Sequence, residues 1–185
     1  MLEPRIHQHF MDSADLSYQA AEGLSKRIAE GVQALLACIT NGGKVLVGGV
    51  GNAAFLAPLF VSYFWGPLER QRPELAALAL TPTSPLASQV RALGLAGDVL
   101  LIFSAQAQAP EWLEAIEIAH DREMMVVGVT GPLGSDVSKR LLETDVHIAV
   151  THERMMRVLE SHLLVLHCLC DGVDAQLLGD LEVPE

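Results

Sequence analysis

The stretch GGKVLVGGVGNAAFLAPLF, residues 42–60, has the pattern of a buried strand, a glycine-rich loop and a helix. Residues 44–47 are a short run containing two β-branched valines, which is typical of a strand inside a parallel sheet. The glycines that follow allow a tight turn, and they are Gly48, Gly49 and Gly51. This order of strand, glycine loop and helix indicates an α/β protein.

The beginning of the predicted helix bears on ligand binding. Asn52 can cap that helix, and the free backbone N–H groups of a helix N-terminus attract anions such as a sugar phosphate. Ala53, Ala54 and Phe55 follow Asn52, whereas a phosphate-binding loop commonly has serine or threonine there. The backbone pattern therefore indicates a ligand site that lacks its usual hydroxyl side chains.

Length and composition indicate one domain. A chain of 185 residues can build one full core but is short for two α/β domains, so we predict a single domain over residues 1–185. Half of the residues are hydrophobic and only 5% are aromatic, which favours helices packed on a parallel sheet. Apolar residues at helical spacing from about Pro4 to Thr40 predict one long or two consecutive helices. We therefore divide the chain into an N-terminal helical segment, 1–41, and an αβα core, 42–185.

The net charge of −11 excludes some classes of function. No cluster of basic residues stands out that could neutralise a row of phosphates, so we predict no direct binding to nucleic acid. The acidic surface suits either a basic protein partner or simple solvation. The three cysteines have no metal-type spacing, and no apolar run has the length of about 20 residues that crosses a bilayer. We expect a cytoplasmic protein without a membrane segment.

Short apolar runs alternate with helical patterns after residue 43. The predicted strands are 44–47, 75–80, 98–103, 124–130 and 146–150, and the predicted helices are 52–65, 110–122, 135–143 and 153–177. The Pro- and Ser-rich residues 81–88 are predicted to form a loop. Ligands bind at the carboxyl ends of parallel strands, so we expect functional residues in the loops after Val47, Leu80, Phe103 and Thr130.

Three segments together resemble the sugar isomerase (SIS) domain family. They are GGKVLVGGVGN (42–52), QVRALGLAGDVLLIFSAQAQAPEWLEAIEIAHDREMMVVGVTG (89–131) and RVLESHLLVLHCLCDGVD (157–174). Within the family the chain resembles the phosphoheptose isomerase branch, and residues 89–101 and 168–171 are similar to its members that associate with the replication initiator DnaA. The resemblance implies a flavodoxin-like αβα sandwich around a five-stranded parallel sheet. It also implies leading helices that join subunits into dimers or tetramers, and a sugar-phosphate site between subunits.

The resemblance further implies a phosphate-binding loop of the form S-T-x-G-N-S after the central strand. The matching residues 104–109 read SAQAQA, so only the hydroxyl of Ser104 is retained. Losing about two charge-assisted hydrogen bonds weakens phosphate binding by several powers of ten, unless the glutamines compensate. Ser104 itself fits either a ligand contact or an ordinary loop serine. The candidate ligand-binding residues are Gly49, Gly51, Asn52, Ser104, Gln106 and Gln108.

Isomerases of this branch hold a metal and move a proton with His and Glu on the helix after the first loop, and with Gln and His on the last helix. The matching positions are Leu59, Tyr63, Leu159 and His167. One ligand of four cannot hold zinc, so we predict no metal, no cofactor and no catalytic residue. Glu160 and His167 keep the family spacing, but we interpret them as remnants, with His167 hydrogen-bonded in a subunit interface.

Two hypotheses follow from these patterns. The first is a non-catalytic, homo-oligomeric scaffold that regulates replication initiation by contacting DnaA, and its candidate contact residues are Leu177 and Leu178. The alternative is a phosphosugar-binding sensor, or a phosphoheptose isomerase-like enzyme with an altered site that uses the six ligand-binding residues named above. The first hypothesis predicts that the chain is not an enzyme, whereas the alternative predicts binding of a sugar phosphate.

Overall fold

A computed structural model describes residues 2–66, 69–81, 83–131 and 135–179 of the chain. The helices are α1 (Leu2–Thr40), α2 (Leu56–Trp65), α3 (Leu86–Leu93), α4 (Leu113–Asp121) and α5 (Met155–Leu178). The strands are β1 (Val45–Gly49), β2 (Ala77–Ala79), β3 (Val99–Ser104), β4 (Met125–Thr130) and β5 (Val146–Ala149). Two short 3₁₀ turns, Gly51–Ala53 and Pro110–Trp112, precede α2 and α4.

The five strands form one parallel sheet in the order β2-β1-β3-β4-β5. All six residues of the central strand β3 are buried, as expected for a strand that is covered on both faces. Phe103 pairs with Gly49, and Ser104 pairs with Thr130, so the carboxyl ends of β1, β3 and β4 lie side by side. The predicted five-stranded parallel sheet is confirmed.

Helices cover both faces of this sheet, which confirms the predicted αβα sandwich. On one face α1, α2 and α5 pack on side chains such as Val47, Leu101 and Val129. On the other face α3 and α4 pack on the alternate residues, among them Leu100 and Ile102. Successive residues of a strand point to opposite faces, so a continuous apolar run supplies both halves of the core.

One predicted helix is wrong, and one predicted loop is wrong in its last three residues. Residues 135–143, predicted as a helix, form turns and irregular structure instead. Ser138 donates its hydroxyl to the Ser135 carbonyl at 2.7 Å, and such local bonding competes with helix propagation. In the predicted loop 81–88, residues 81 and 83–85 lie outside any helix, but residues 86–88 form the first turn of α3, whose N-cap residue is Pro85. Proline is well tolerated at the beginning of a helix, so a Pro-rich segment can lead directly into one.

No helix in the described residues is long and apolar enough to cross a membrane.

Candidate functional site

Three connections meet at the carboxyl end of the sheet. The 3₁₀ turn after β1 contains Gly51, whose φ of +56° lies in the region that favours glycine. A Cβ atom at Gly51 would lie 3.0 Å from Nε2 of Gln106, in the loop after β3. Asn52 donates from Nδ2 to the Met155 sulfur at 3.0 Å, at the beginning of α5. The loop after β1 thus lies close to the loop after β3 and is bonded to the first residue of α5.

A cavity of about 540 Å³ opens between the β3 loop and the beginning of α5. This size is within the range of small-molecule sites. Its polar groups are two side-chain amides, an imidazole and a carboxylate, and its lining residues are Ala105, Gln106, Ala107, Gln108, His152, Glu153, Met155 and Val158. This cavity, called the β3–α5 cavity below, therefore combines neutral hydrogen-bonding groups with groups that can exchange a proton.

The N-terminus of α5 adds hydrogen-bond donors at this cavity. Its N-cap residue Arg154 makes no side-chain capping bond, and the first turn contains no acidic residue. The first backbone N–H groups of a helix have no partner within the helix, and the dipole of a 24-residue helix favours an anion there. An anionic ligand group can be stabilised at this end of the cavity without a lysine or arginine.

His152 has a defined tautomer when it is neutral. Its Nδ1 accepts a hydrogen bond from the backbone N–H of Arg154 at 3.0 Å. The proton of the neutral ring is then on Nε2, which can donate to a ligand. His152 and Glu153 are functional candidates that the sequence did not predict, because functional residues were expected in the loops after β1 to β4 and not in the connection after β5. The position of both residues directly after a predicted strand was the available signal.

A second cavity, of about 310 Å³, is found on another side of Gly51. It is lined by the hydroxyl residues Thr83 and Ser84, by Glu111, and by Val50, Gly51, Pro85 and Leu86. Gly51 therefore lines this cavity, and a Cβ atom at Gly51 would meet the Gln106 amide of the β3–α5 cavity. Hydroxyl groups from the loop before α3 are thus close to the same glycine turn.

Only some of the predicted ligand-binding residues line the β3–α5 cavity. Gln106 and Gln108 line the β3–α5 cavity. Gly49 ends β1, and a Cβ atom there would lie only 2.2 Å from the Ala53 carbonyl oxygen, so this glycine is required by the turn itself. Ser104 is fully buried at the end of β3, and its hydroxyl is 3.5 Å from the Gln106 carbonyl oxygen. Ser104 therefore lies inside the strand rather than on the ligand surface.

Asn52 does not cap α2 as the sequence suggested. It lies in the 3₁₀ turn, and the N-cap position of α2 is Phe55, which makes no side-chain capping bond. The Asn52 amide binds Met155 instead, so its described contact is structural and links two of the loops.

The positions at which the resemblance implies a metal do not fit one. Leu59, Tyr63 and Leu159 pack against the apolar core between α2 and α5. The ring of Tyr63 lies 5.7 Å from that of His167, and leucine offers no donor atom. The described residues contain no group of three or more His, Cys, Asp or Glu side chains that could hold a metal ion. We therefore derive no reaction step through a metal.

Glu160 and His167 lie in separate environments. Glu160 accepts from Arg157 at 2.6 Å and from the Ser13 hydroxyl at 3.0 Å, so it joins α5 to α1. His167 is half-buried and lines a different cavity, of about 500 Å³, called the α2–α5 cavity. The other lining residues of the α2–α5 cavity are Tyr63, Glu69, Cys168 and Asp171. Glu160 and His167 therefore do not form one site within this chain.

Comparison with known proteins identifies the family. Residues 8–131 match the SIS domain family. The chain is 50% identical to a phosphoheptose isomerase of Methylibium petroleiphilum, over 99% of this chain and 98% of the relative. The structure of a phosphoheptose isomerase from Francisella tularensis superposes with a TM-score of 0.87 at 32% identity, covering 94% of this chain and 98% of the other. The enzyme from Neisseria gonorrhoeae gives 0.86 at 35% identity, covering 95% and 100%.

These findings correct the first hypothesis. Proteins that match almost the whole chain carry the name of an enzyme, so the hypothesis of a non-catalytic scaffold is wrong. Leu177 and Leu178 are 38% and 39% exposed at the end of α5, but their proposed contact with DnaA is withdrawn with that hypothesis. That hypothesis rested on the side chains that are missing at the positions named by the family motifs. The β3–α5 cavity offers other groups for binding and for proton transfer.

Proposed function

The chain belongs to the SIS domain family, with phosphoheptose isomerases among its relatives, and from this premise we propose that it isomerises a phosphorylated sugar in the β3–α5 cavity. The observation that carries the proposal is the composition of this cavity. It combines the amides of Gln106 and Gln108 with an imidazole, a carboxylate and a helix N-terminus. Aldose–ketose isomerisation requires that a ligand is oriented and that one proton moves between adjacent carbons, and these groups can do both.

The phosphate group is held by neutral donors in this proposal. Among the described residues that line the cavity, none is lysine or arginine. The N–H groups of Gln106 and Gln108 and of the first turn of α5 can donate to phosphate oxygens. Each such bond to a charged group contributes about 1.5–3 kcal/mol. We therefore expect measurable but moderate affinity.

The sugar hydroxyls are assigned to the side of the glycine turn. Thr83 and Ser84 line the cavity next to Gly51, and hydroxyl side chains can both donate to and accept from a sugar. Gly51 leaves room for the Gln106 amide between the two cavities. A substituent at this position would displace that amide from the ligand.

Binding of sedoheptulose 7-phosphate tests the proposal. A ligand at 100 times its dissociation constant is expected to stabilise the folded chain by about 2.7 kcal/mol in thermal unfolding. Replacement of Gln106 by alanine is expected to weaken binding about tenfold or more, because a donor to the phosphate is lost. Isothermal titration calorimetry measures the affinity directly, with inorganic phosphate and unphosphorylated sedoheptulose as comparison ligands.

The control variant is Gln33→Ala, which removes an amide from an exposed position on α1. It is expected to leave the affinity unchanged. If neither the ketose phosphate nor any other sugar phosphate of five to seven carbons binds, the proposed function is wrong.

We also propose that the N-terminal helical segment, 1–41, joins copies of this chain into a homo-oligomer. The first half of α1 exposes Leu2, Ile6 and Phe10, which are four residues apart and so lie on one side of the helix. Phe10 is 73% exposed, and a row of exposed apolar residues of this kind is typical of an interface.

Light scattering after size-exclusion chromatography tests the assembly. Phe10→Asp is expected to lower the measured molar mass relative to wild type, because it places a charge in the apolar contact. Gln19→Asp, at an exposed polar position of the same helix, is the matched control. A wild-type chain that is monomeric at micromolar concentration would contradict the proposal.

A further inference from the structure

We propose that Glu153 is the catalytic base of this isomerisation and that His152 is the partner acid. The assignment rests on the proposed function. Both side chains line the β3–α5 cavity, together with the glutamines that we assign to the phosphate group. The resemblance placed the base on the helix after the first loop, where this chain has Tyr63. The inference therefore moves the proton-transfer chemistry to the connection between β5 and α5.

The reaction balances with these two groups alone. The Glu153 carboxylate takes a proton from C1 of the ketose phosphate, and the C1–H electron pair forms a C1=C2 bond. The electrons of the C2 carbonyl move to its oxygen, which takes the proton of His152 Nε2. In the second half, the C1 hydroxyl gives its proton to the His152 imidazolate, the C1 carbonyl forms, and C2 takes the proton from the Glu153 carboxyl group. Neither an oxidant nor a reductant is required.

The geometry favours Glu153 over the carboxylates of the α2–α5 cavity. Glu69 and Asp171 line that second cavity beside His167. Met155, which lines the β3–α5 cavity, is the first residue of α5, whereas His167 is twelve residues further along the same helix. At about 1.5 Å per residue, this separation is about 18 Å. The carboxylates around His167 are therefore far from the glutamine amides within one chain, whereas Glu153 lines the same cavity as these amides.

The backbone prepares His152 to act as the acid. Because Nδ1 accepts from the Arg154 N–H at 3.0 Å, the neutral ring has its proton on Nε2. The same bond limits rotation of the ring. When Nε2 gives its proton to the C2 oxygen, the ring becomes an imidazolate that still accepts the Arg154 N–H at Nδ1, and Nε2 regains a proton in the second half of the reaction.

The test compares turnover with binding in the full chain. Glu153→Gln is expected to lower kcat/KM for sedoheptulose 7-phosphate by about 10²- to 10⁴-fold, the usual contribution of a general base. The dissociation constant for the same ketose phosphate is expected to stay within a few-fold of wild type. In D₂O the wild type is expected to introduce deuterium at the carbon that loses its proton, and Glu153→Gln is expected to lose this exchange. Glu153→Asp keeps a carboxylate and is expected to retain part of the activity.

Glu143→Gln is the matched control, since it removes a carboxylate from an exposed position before β5, and normal turnover is expected. Glu153 is also exposed, so its variant is expected to fold, which circular dichroism checks. If Glu153→Gln turns over normally while Asp171→Asn is inactive, the base is in the α2–α5 cavity and the inference is wrong. If wild type binds no sugar phosphate, the proposed function fails, and the inference fails with it. Binding with normal exchange in Glu153→Gln overturns the inference alone.

Discussion

Replacement of Asp174 by alanine is expected to lower the free energy of unfolding by about 3–5 kcal/mol. Arg72 donates from Nε to this carboxylate, and the two side chains are only 1% and 4% exposed. The same guanidinium donates to the carbonyl oxygens of Phe64 at 3.0 Å and Tyr63 at 2.6 Å, near the end of α2. Without Asp174 a buried positive charge loses its counter-charge, and the connection between α2 and β2 loses its attachment to α5. Urea-induced unfolding followed by circular dichroism measures the loss.

The exposed ion pair between Arg91 and Glu114 provides the control. Its atoms are 3.0 Å apart, but the side chains are 53% and 66% exposed, so Glu114→Ala is expected to cost less than about 1 kcal/mol. The double replacement Arg72→Met with Asp174→Leu is expected to cost less than Asp174→Ala, because no unpaired charge stays buried. Equal, small losses for Asp174→Ala and Glu114→Ala would show that burial of the pair has no such effect.

The strands were the part of the fold that the sequence predicted best. All side chains of an apolar run such as 99–103 can be buried only in a strand that is covered on both faces. Such a run therefore predicts a central strand whatever its neighbours are. The helices were less secure, because short segments depend on local competition and on neighbours. Residues 135–143 have a helix-like sequence pattern but form no helix. The Ser138 hydroxyl bonds to the Ser135 carbonyl, and a turn precedes β5. In the turn before β5, Asp145 accepts from the Leu142 backbone N–H at 2.8 Å.

The candidate site was predicted only in part. The sequence selected Gln106 and Gln108 because they follow the central strand, and both line the β3–α5 cavity. It also selected Ser104, but the strand extends one residue further than predicted and buries that hydroxyl. His152 and Glu153 belong to no motif, and their proximity to the glutamines depends on the order of β3, β4 and β5 in the sheet. The strand order decides which loops are neighbours, and the pattern of apolar and polar residues along the sequence does not give that order.

His162 is expected to make the folded state less stable as the pH falls. The side chain is fully buried on α5, its Nε2 donates to the Thr130 carbonyl oxygen at 3.0 Å, and its Nδ1 has no partner among the described residues. Burial lowers the pKa of His162 from 6.5 to about 4, although the bond to Thr130 acts in the opposite direction. Between these two values the unfolded chain binds a proton that the folded chain does not. The contribution of His162 to the free energy of unfolding is therefore fully present above pH 6.5 and falls as the pH drops towards 4.

The variant His162→Gln isolates this contribution, because its amide can still donate to Thr130 but does not titrate. Between about pH 7.5 and about pH 4, wild type is expected to lose about 3 kcal/mol more stability than the variant, since each unit of pKa difference corresponds to about 1.4 kcal/mol. Burial also lowers the pKa of His147, which acts in the same direction, but this residue is present in both proteins and its effect cancels in the difference. Urea-induced unfolding of both proteins across this range gives the two stability curves. Parallel curves would mean that His162 is protonated as easily in the folded chain as in the unfolded one, and the expected burial effect would then be absent.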